Sequence, residues 1–340
     1  MTGFADRLTA AWYAPGPTPL AIALAPLAIV FGGVVAARRA LYSVGAFGAT
    51  RVRAPVVVVG NLTAGGAGKT PLALALAEAL AGHGLHPGFV SRGYGGSARA
   101  VREVARDDDA RVVGDEPLLL AASGHPTYVA RRRADAAQAL LAAHPRVDVV
   151  IADDGLQHYA LARDCEIVVV DAARKLGNGW LLPAGPLREP ASRMARADAV
   201  VHLVPRGAAP PPSLSANESV MTLEPLPWRN LREPTRRADP GAWPAGRVHA
   251  VAGIGHPQRF FDDVRAQGID AVPHAFPDHH AYTRDELDFP DAAAVLMTEK
   301  DAVKCAAFAD ERWWCLPVRA RIDPALVLRV LARVHGRQAA

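Results

Sequence analysis

The sequence predicts an α/β fold: a mainly parallel sheet with helices on both faces, a smaller C-terminal α/β unit, and an apolar helix ahead of both. Three observations predict it. Apolar runs recur at strand length, over residues 56–59, 86–91, 147–152, 166–170 and 199–204. Helical stretches such as 134–143 lie between them, and strand–helix alternation of this kind builds parallel sheets. The third observation is a gap in charge, since no Asp, Glu, Lys or Arg stands between Arg7 and Arg38.

Within that gap residues 20–37 are almost wholly apolar, near the length that spans a bilayer, and Arg38 and Arg39 follow at once. A positive flank belongs on the cytoplasmic side. A cleaved signal peptide fits poorly because the run is too long. A buried core helix competes with a membrane-inserted or membrane-lying helix. The membrane reading is preferred, with Pro26 expected to kink the helix. The first unit is therefore taken as residues 1–45.

Residues 46–205 are expected to form the main domain. Its first strand leads into VVVVGNLTAGGAGKTP, residues 56–71. Thr63, Ala64, Gly65, Gly66, Ala67, Gly68, Lys69 and Thr70 make a glycine-rich turn followed by Gly-Lys-Thr. Glycine permits φ > 0 and lets backbone N–H groups approach an anion. Lys69 can reach terminal phosphates, the Thr70 hydroxyl can ligate Mg²⁺, and the following helix points its N-terminus at the anion. This is a P-loop, and the fold class is P-loop NTPase-like. Thr63 stands where the general pattern has glycine.

A second signal is VDVVIADDGLQHY, residues 147–159. An apolar strand ending in Asp153 and Asp154 puts carboxylates beside the phosphate loop, where they can hold Mg²⁺ or order a nucleophile. SRGYGG, residues 91–96, ends the next strand, so Arg92 and Tyr94 are placed to meet phosphate or sugar. LGNGWLLPAGPLREP, residues 176–190, is too rich in Gly and Pro for a helix. It reads as a lid or wall, and its Glu189 as a further metal or water ligand. In GDEP, residues 114–117, Asp115 is a helix cap or a base.

Residues 206–246, rich in Pro, Ser and Arg, read as a linker, and residues 247–340 as the smaller α/β domain. Strands are expected there at 248–252, 293–298 and 314–318, with a closing helix at 322–335. HAFPDHHAYT, residues 274–283, clusters three histidines without helical spacing. A His–Asp acid/base role is preferred there over a metal site. The net charge of +4 is modest and speaks against a nucleic-acid partner. Cys165, Cys305 and Cys315 are odd in number and lack C-x-x-C spacing, which argues against a disulfide framework or zinc site.

These segments together resemble the tetraacyldisaccharide 4'-kinase (lipid A 4'-kinase) family. The resemblance rests on VGNLTAGGAGKTP, SRGYGG, GDEP, DDGLQH, GNGWLLPAGPLREP, GIGHPQRFF (253–261) and TEKDAVK (298–304). In that family the place of Thr63 carries Ser or Thr. The resemblance implies ATP- and Mg²⁺-dependent phosphorylation of the 4'-hydroxyl of a tetraacylated glucosamine disaccharide 1-phosphate, at the cytoplasmic face of the inner membrane. It implies Lys69 on the β/γ-phosphates, Thr70 on Mg²⁺, and Asp153, Asp154 and Glu189 as candidates for the metal shell. Asp115 and His279 would deprotonate the acceptor hydroxyl, and Arg92, Tyr94 and Arg133 would touch the disaccharide. No obligate protein partner is implied. Two rivals stand beside it. A GTPase switch or metallochaperone would carry N/T-K-x-D, and residues 298–301 misplace the lysine. A soluble small-molecule kinase leaves the apolar N-terminus without a role.

Overall fold

The computed structural model describes residues 4–240, 243 and 246–338. The chain opens with α1 (Phe4–Trp12) and α2 (Pro19–Ser43). Then follow β1 (Val56–Asn61), α3 (Lys69–Gly82), β2 (Pro87–Ser91), β3 (Arg102–Glu103), α4 (Ala110–Val113) and α5 (Asp115–Ala122). Next come β4 (Thr127–Val129), α6 (Arg133–Ala143), β5 (Val149–Asp153), β6 (Cys165–Asp171), β7 (Ala199–Leu203) and β8 (Glu218–Pro225). The remainder comprises β9 (Trp228–Asn230), β10 (Arg237–Ala238), β11 (Arg247–Ala252), α7 (Pro257–Ala266), β12 (Ala271–Ala275) and β13 (Ala292–Thr298). It ends with α8 (Glu299–Cys305), β14 (Trp313–Leu316), β15 (Val318–Ile322) and α9 (Pro324–Gln338).

Two sheets organise these elements. The first has nine strands in the order β15-β8-β7-β6-β1-β5-β2-β4-β3. It is parallel throughout except at its edges, where β15 and β3 run antiparallel to their neighbours. The fully buried, Val-rich β1 lies between β5 and β6 because both faces of this sheet are covered, and such a strand is continuously apolar. One face packs on α3, whose Leu72, Leu76 and Leu80 are wholly buried, and the other on α6 through Leu140. The second sheet has six strands, β10-β9-β14-β13-β11-β12, over a core that includes Trp228, Phe260 and Leu296.

The boundaries between units differ from those the sequence predicts. Strand β8 lies inside the expected linker yet joins the first sheet, while β9 and β10, also from the linker, edge the second. After β14 the chain crosses back: β15 pairs with β8, and α9 buries Leu326, Val330 and Val334 in the core of the first sheet. Residues 318–338 therefore belong to the P-loop subdomain, not to the smaller one. Local pattern marked a strand and a helix there, but pairing partners more than 90 residues away in the chain are invisible to it.

Helix α2 is long and apolar enough to cross a membrane, and it is not a core helix. Among its described side chains only Ala21 and Ala28 are buried, whereas Ile29 is 75% exposed and Val30 and Val34 nearly as open. It runs without interruption through Pro26. Its attachment to the body is narrow. Gly32 lies so close to Leu181 that a Cβ would come within 2.8 Å of the Leu181 methyl, and the preceding Trp12 Nε1 donates to the Pro183 carbonyl at 2.8 Å.

Because α9 completes the P-loop subdomain, Leu326→Ala is expected to cost about 2–5 kcal/mol in urea-monitored unfolding. The loss should appear in protection of the nucleotide-binding body, and not as selective loosening of the smaller unit.

Candidate active site

The phosphate loop is held by its own strand. Asn61, the last residue of β1, donates from Nδ2 to the carbonyls of Thr63 (2.9 Å) and Gly65 (3.3 Å). Its Oδ1 accepts from Lys69 Nζ at 3.2 Å. Gly65 and Gly68 adopt φ of 98° and 85°, and a Cβ on Gly68 would stand 2.7 Å from a Leu203 methyl, so only glycine fits at the mouth of α3. The 176–190 run forms neither helix nor strand and lies along the loop as a wall. Ala64 N donates to the Pro186 carbonyl (2.8 Å) and Arg188 N to the Leu62 carbonyl (2.7 Å).

Parallel pairing of β1 with β5 delivers the first carboxylate. Asp153 is fully buried, and the Thr70 hydroxyl donates to its Oδ2 at 2.8 Å. Burial, and then the nearby Glu116, push the Asp153 carboxyl up to about 7, despite Lys69 and Thr70. Asp154 has a positive φ of 49° and turns the other way. Burial disfavours its charge, yet Lys69 (3.5 Å), Arg188 (3.3 Å) and Arg133 hold it well below the usual carboxylate range. A buried carboxylate short of positive charge, hydrogen-bonded to a hydroxyl beside a phosphate loop, fits Mg²⁺. That ion takes one or two protein oxygens and completes its shell with waters and phosphate. Among the described residues no cluster of three or more His, Cys, Asp or Glu side chains offers an all-protein cage.

Glu189 has protein partners at one carboxylate oxygen, while its Oε1 is buried without one. It is 1% exposed, and Tyr159 OH donates to its Oε2 at 2.7 Å and Arg193 lies 3.5 Å away. Its polar contacts face Tyr159 and Arg193 and not Thr70, Asp153 or Asp154. Arg188 turns to Asp154, whereas the adjacent Glu189 turns to Tyr159 and Arg193.

A second cluster closes across the cleft between the two sheets. Gly114 (φ 90°) and Gly96 let the GDEP and SRGYGG loops touch: Cβ atoms there would meet Tyr94 O at 2.6 Å and Val112 O at 2.5 Å. That contact sets Asp115 beside Tyr94. From the other sheet comes His279, in the left-handed region at φ 62°, with Nδ1 3.0 Å from both Asp115 oxygens and its ring 4.9 Å from that of Tyr94. Burial works against the Asp115 charge, but the His279 hydrogen bond and Lys300 lower its pKa on balance. The histidine cluster of the sequence does not stay together. His274 bonds His249 at 2.9 Å and His280 faces Glu286 at 3.1 Å.

The basic residues form a third group. Arg133 is 3% exposed, donates from Nη2 to the carbonyls of Asp153 (3.0 Å) and Asp154 (2.7 Å), and leaves Nε and Nη1 without partners. Burial, then Arg133, Arg92 and Arg38, hold His158 neutral with its pKa pushed down to about 3. Arg92 and Tyr94 also line a cavity of about 600 Å³ with Arg99 and Arg131. Sequence reasoning missed Asn61, His158, Arg188 and Lys300. All four lie in the motifs already singled out; Asn61, ending the first strand, gave only a polar residue beside a glycine turn.

The Asp153 environment makes a stability prediction. Its pKa is raised on folding, so the folded chain binds the proton more tightly between the unfolded carboxylate range and about pH 7, and stability falls as pH rises through that window. Asp153→Asn is expected to raise the melting temperature of nucleotide-free protein at pH 8 relative to the parent, while removing turnover with MgATP.

Comparison with known proteins agrees with this geometry. The family model described as tetraacyldisaccharide-1-P 4'-kinase matches residues 20–335. The tetraacyldisaccharide 4'-kinase of Azoarcus sp. (strain BH72) is 51% identical over 328 residues, covering 96% of this chain and 95% of the relative. That of Methylobacillus flagellatus is 46% identical over 332 residues, covering 97% and 96%. A crystal structure of LpxK from Aquifex aeolicus, described as an "apo" form in complex with ATP, superposes with a TM-score of 0.77 at 26% identity, covering 93% of this chain and 99% of that one. A P-loop beside a buried Thr–Asp pair, answered across a cleft by a His–Asp pair, is thus accompanied by full-length kinship, and the chain belongs to the tetraacyldisaccharide-1-phosphate 4'-kinase family, kinases of lipid A biosynthesis.

Proposed function

We propose that this chain transfers the γ-phosphoryl group of ATP to the 4'-hydroxyl of a tetraacylated glucosamine disaccharide 1-phosphate, at the cytoplasmic face of the inner membrane. The observation that carries the reading is the Asp115–His279 pair, made between the two subdomains over the cleft that the phosphate loop lines. That cleft has a volume of about 830 Å³ and brings Lys69, Thr70, Glu116, Arg229, Phe260 and Lys300 to one space, enough for a nucleoside triphosphate.

Each residue then has a role. The loop from Thr63 to Gly68 cradles phosphate with backbone N–H groups, and Lys69 supplies the nearest cation. Thr70 and Asp153, with Asp154 beside them, would hold Mg²⁺, which when bound neutralises phosphate oxygens. His279 takes the acceptor proton at Nε2 while Asp115 holds Nδ1–H. The attacking oxygen bonds to the γ-phosphorus, and the bond to the β-phosphate oxygen breaks, leaving its electron pair on ADP. Phosphoryl transfer asks chiefly for positioning and charge stabilisation. Arg92, Tyr94 and Arg133 are proposed as disaccharide contacts, supported by the unpartnered Arg133 N–H groups and the positive surroundings of His158.

The lipid side is supported by α2. Its exposed apolar face suits a bilayer, and an apolar groove of about 550 Å³ between Ala28, Ile29, Gly32, Trp180 and Leu181 suits acyl chains. The direct test is mass spectrometry of the lipid disaccharide after incubation with protein and MgATP, which should reveal one added phosphate.

In that assay Asp115→Ala and His279→Ala are each expected to lower kcat by about 10²–10⁴-fold. ATP affinity should barely change. The double variant should be little worse than the more damaged single, because groups acting as a unit are not additive; multiplicative losses would return His279 to a structural role. Deleting residues 1–39 should leave a folded body that sediments poorly with membranes. Full sedimentation of the truncated chain would overturn the anchor.

A further inference from the structure

The TEKDAVK segment carries a residue that the transfer chemistry above leaves unused. Lys300 stands in the first turn of α8, and that turn is firmly seated. Thr298 Oγ1 accepts from Asp301 N at 3.2 Å, and the wholly buried Asp301 also accepts from Gly253 N (3.1 Å) and Tyr282 OH (3.0 Å). From this base the Lys300 side chain, 18% exposed, reaches out of the second subdomain toward the first. Its Nζ lies 3.1 Å from Asp278 Oδ1, 3.3 Å from Glu116 Oε1, 3.4 Å from His279 Nε2 and 3.9 Å from Asp115 Oδ2.

Three N–H bonds meet three acceptors, and one of these acceptors is the imidazole nitrogen assigned to the acceptor proton. An ammonium can donate to Nε2 only when that nitrogen carries a lone pair, which requires the ring proton on Nδ1, against Asp115. We propose that Lys300 is the positioning residue of the phosphoryl transfer: it ties the subdomains together at Glu116 and holds His279 as a neutral base, its Nε2 covered until the acceptor hydroxyl takes the place of the ammonium. The proposal rests on the reading of His279 as that base.

The charges facing His279 are balanced around this arrangement. From α5 come Asp115 and Glu116; from its own loop Asp278 lies 3.8 Å from Nε2, while His280 is turned to Glu286. From α8 come Lys300 and, farther off, Lys304, which acts on Asp115. Burial disfavours the Lys300 charge, but Glu116, Asp115 and Asp278 more than restore it, so the ammonium persists at any working pH. Asp115 favours an imidazolium and Lys300 disfavours one. Removing the lysine leaves the carboxylates unopposed, so protonated His279 becomes easier to form and the base is lost at a higher pH.

The test uses the full chain with the variants Lys300→Met, Lys300→Gln and Lys300→Arg. In Lys300→Met and Lys300→Gln the acid limb of the kcat–pH profile is expected to move up by about one unit. In ¹⁵N-labelled nucleotide-free protein the His279 ring should titrate higher by a similar amount. At neutral pH kcat should fall several-fold with KM for ATP nearly unchanged. Lys300→Arg should restore the position of the limb. A lower kcat with an unmoved limb and an unmoved His279 titration would overturn the proposal, as would a raised KM for ATP with kcat intact, which would make Lys300 a phosphate ligand. Failure of the base reading is separate: His279→Ala with near-parental kcat would sink it whatever Lys300 does.

Discussion

The parallel register between β1 and β5, with Val59 opposite Asp153, is the constraint on which the site depends. Both strands run the same way, so both release their chains at the same edge of the sheet. One release becomes the phosphate loop and the other becomes the Asp153–Asp154 pair. The 2.8 Å bond from Thr70 to Asp153 follows from that register, because a slip of one residue would turn Asp153 to the opposite face. β6 and β2 end at the same edge and contribute Asp171 to the cleft lined by the phosphate loop and the SRGYGG loop to the neighbourhood of Gly114 and His279. Ligands gather at strand C-terminal ends for this reason.

Charge in the cleft is arranged in opposing groups. Asp153 is buried with too little positive charge around it, whereas Asp154, a single residue on, is surrounded by Lys69, Arg188 and Arg133. The sharp turn at Asp154 separates the two environments, so adjacent carboxylates acquire opposite tendencies to ionise. Such divergence is typical of functional sites, and here it lies beside the phosphate loop. Across the cleft the Asp115–His279–Lys300 group forms only when the two sheets face one another. Both subdomains therefore contribute side chains to one polar cluster.

The placing of the smaller subdomain is tied to the return of the chain. The smaller sheet is entered after β8 and left before β15, and these two strands are paired in the first sheet. Two crossings side by side make a double-stranded support, stiffer than one linker. Glycine contacts add to the fit: a Cβ at Gly255 of the smaller subdomain would stand 2.8 Å from Gly66 N in the phosphate loop. The N-terminal helices dock by another route, against the 176–190 wall that also braces the phosphate loop.

Local pattern determined much of this protein by itself. The Val-rich run of β1, the glycines before Lys69, the acidic end of β5 and the long uncharged stretch around α2 all carry their meaning in neighbouring residues, and their ordered set was enough to indicate the family. What depended on distance in space was not legible. Glu189, adjacent to Arg188 in the chain, faces Tyr159 and Arg193, while Arg188 faces Asp154. β8 and β15 joined the first sheet and α9 packed into its core, although composition assigned β8 to a linker and the other two to another unit. The three histidines, clustered in sequence, were parted by the turn at His279, and Lys300 gained its meaning only beside Glu116, 184 residues earlier. Sequence determines periodicity, turn chemistry and motif spacing, since these act over a few bonds; strand order and the closing of two subdomains place charges, since electrostatics and hydrogen bonding answer to distance in space.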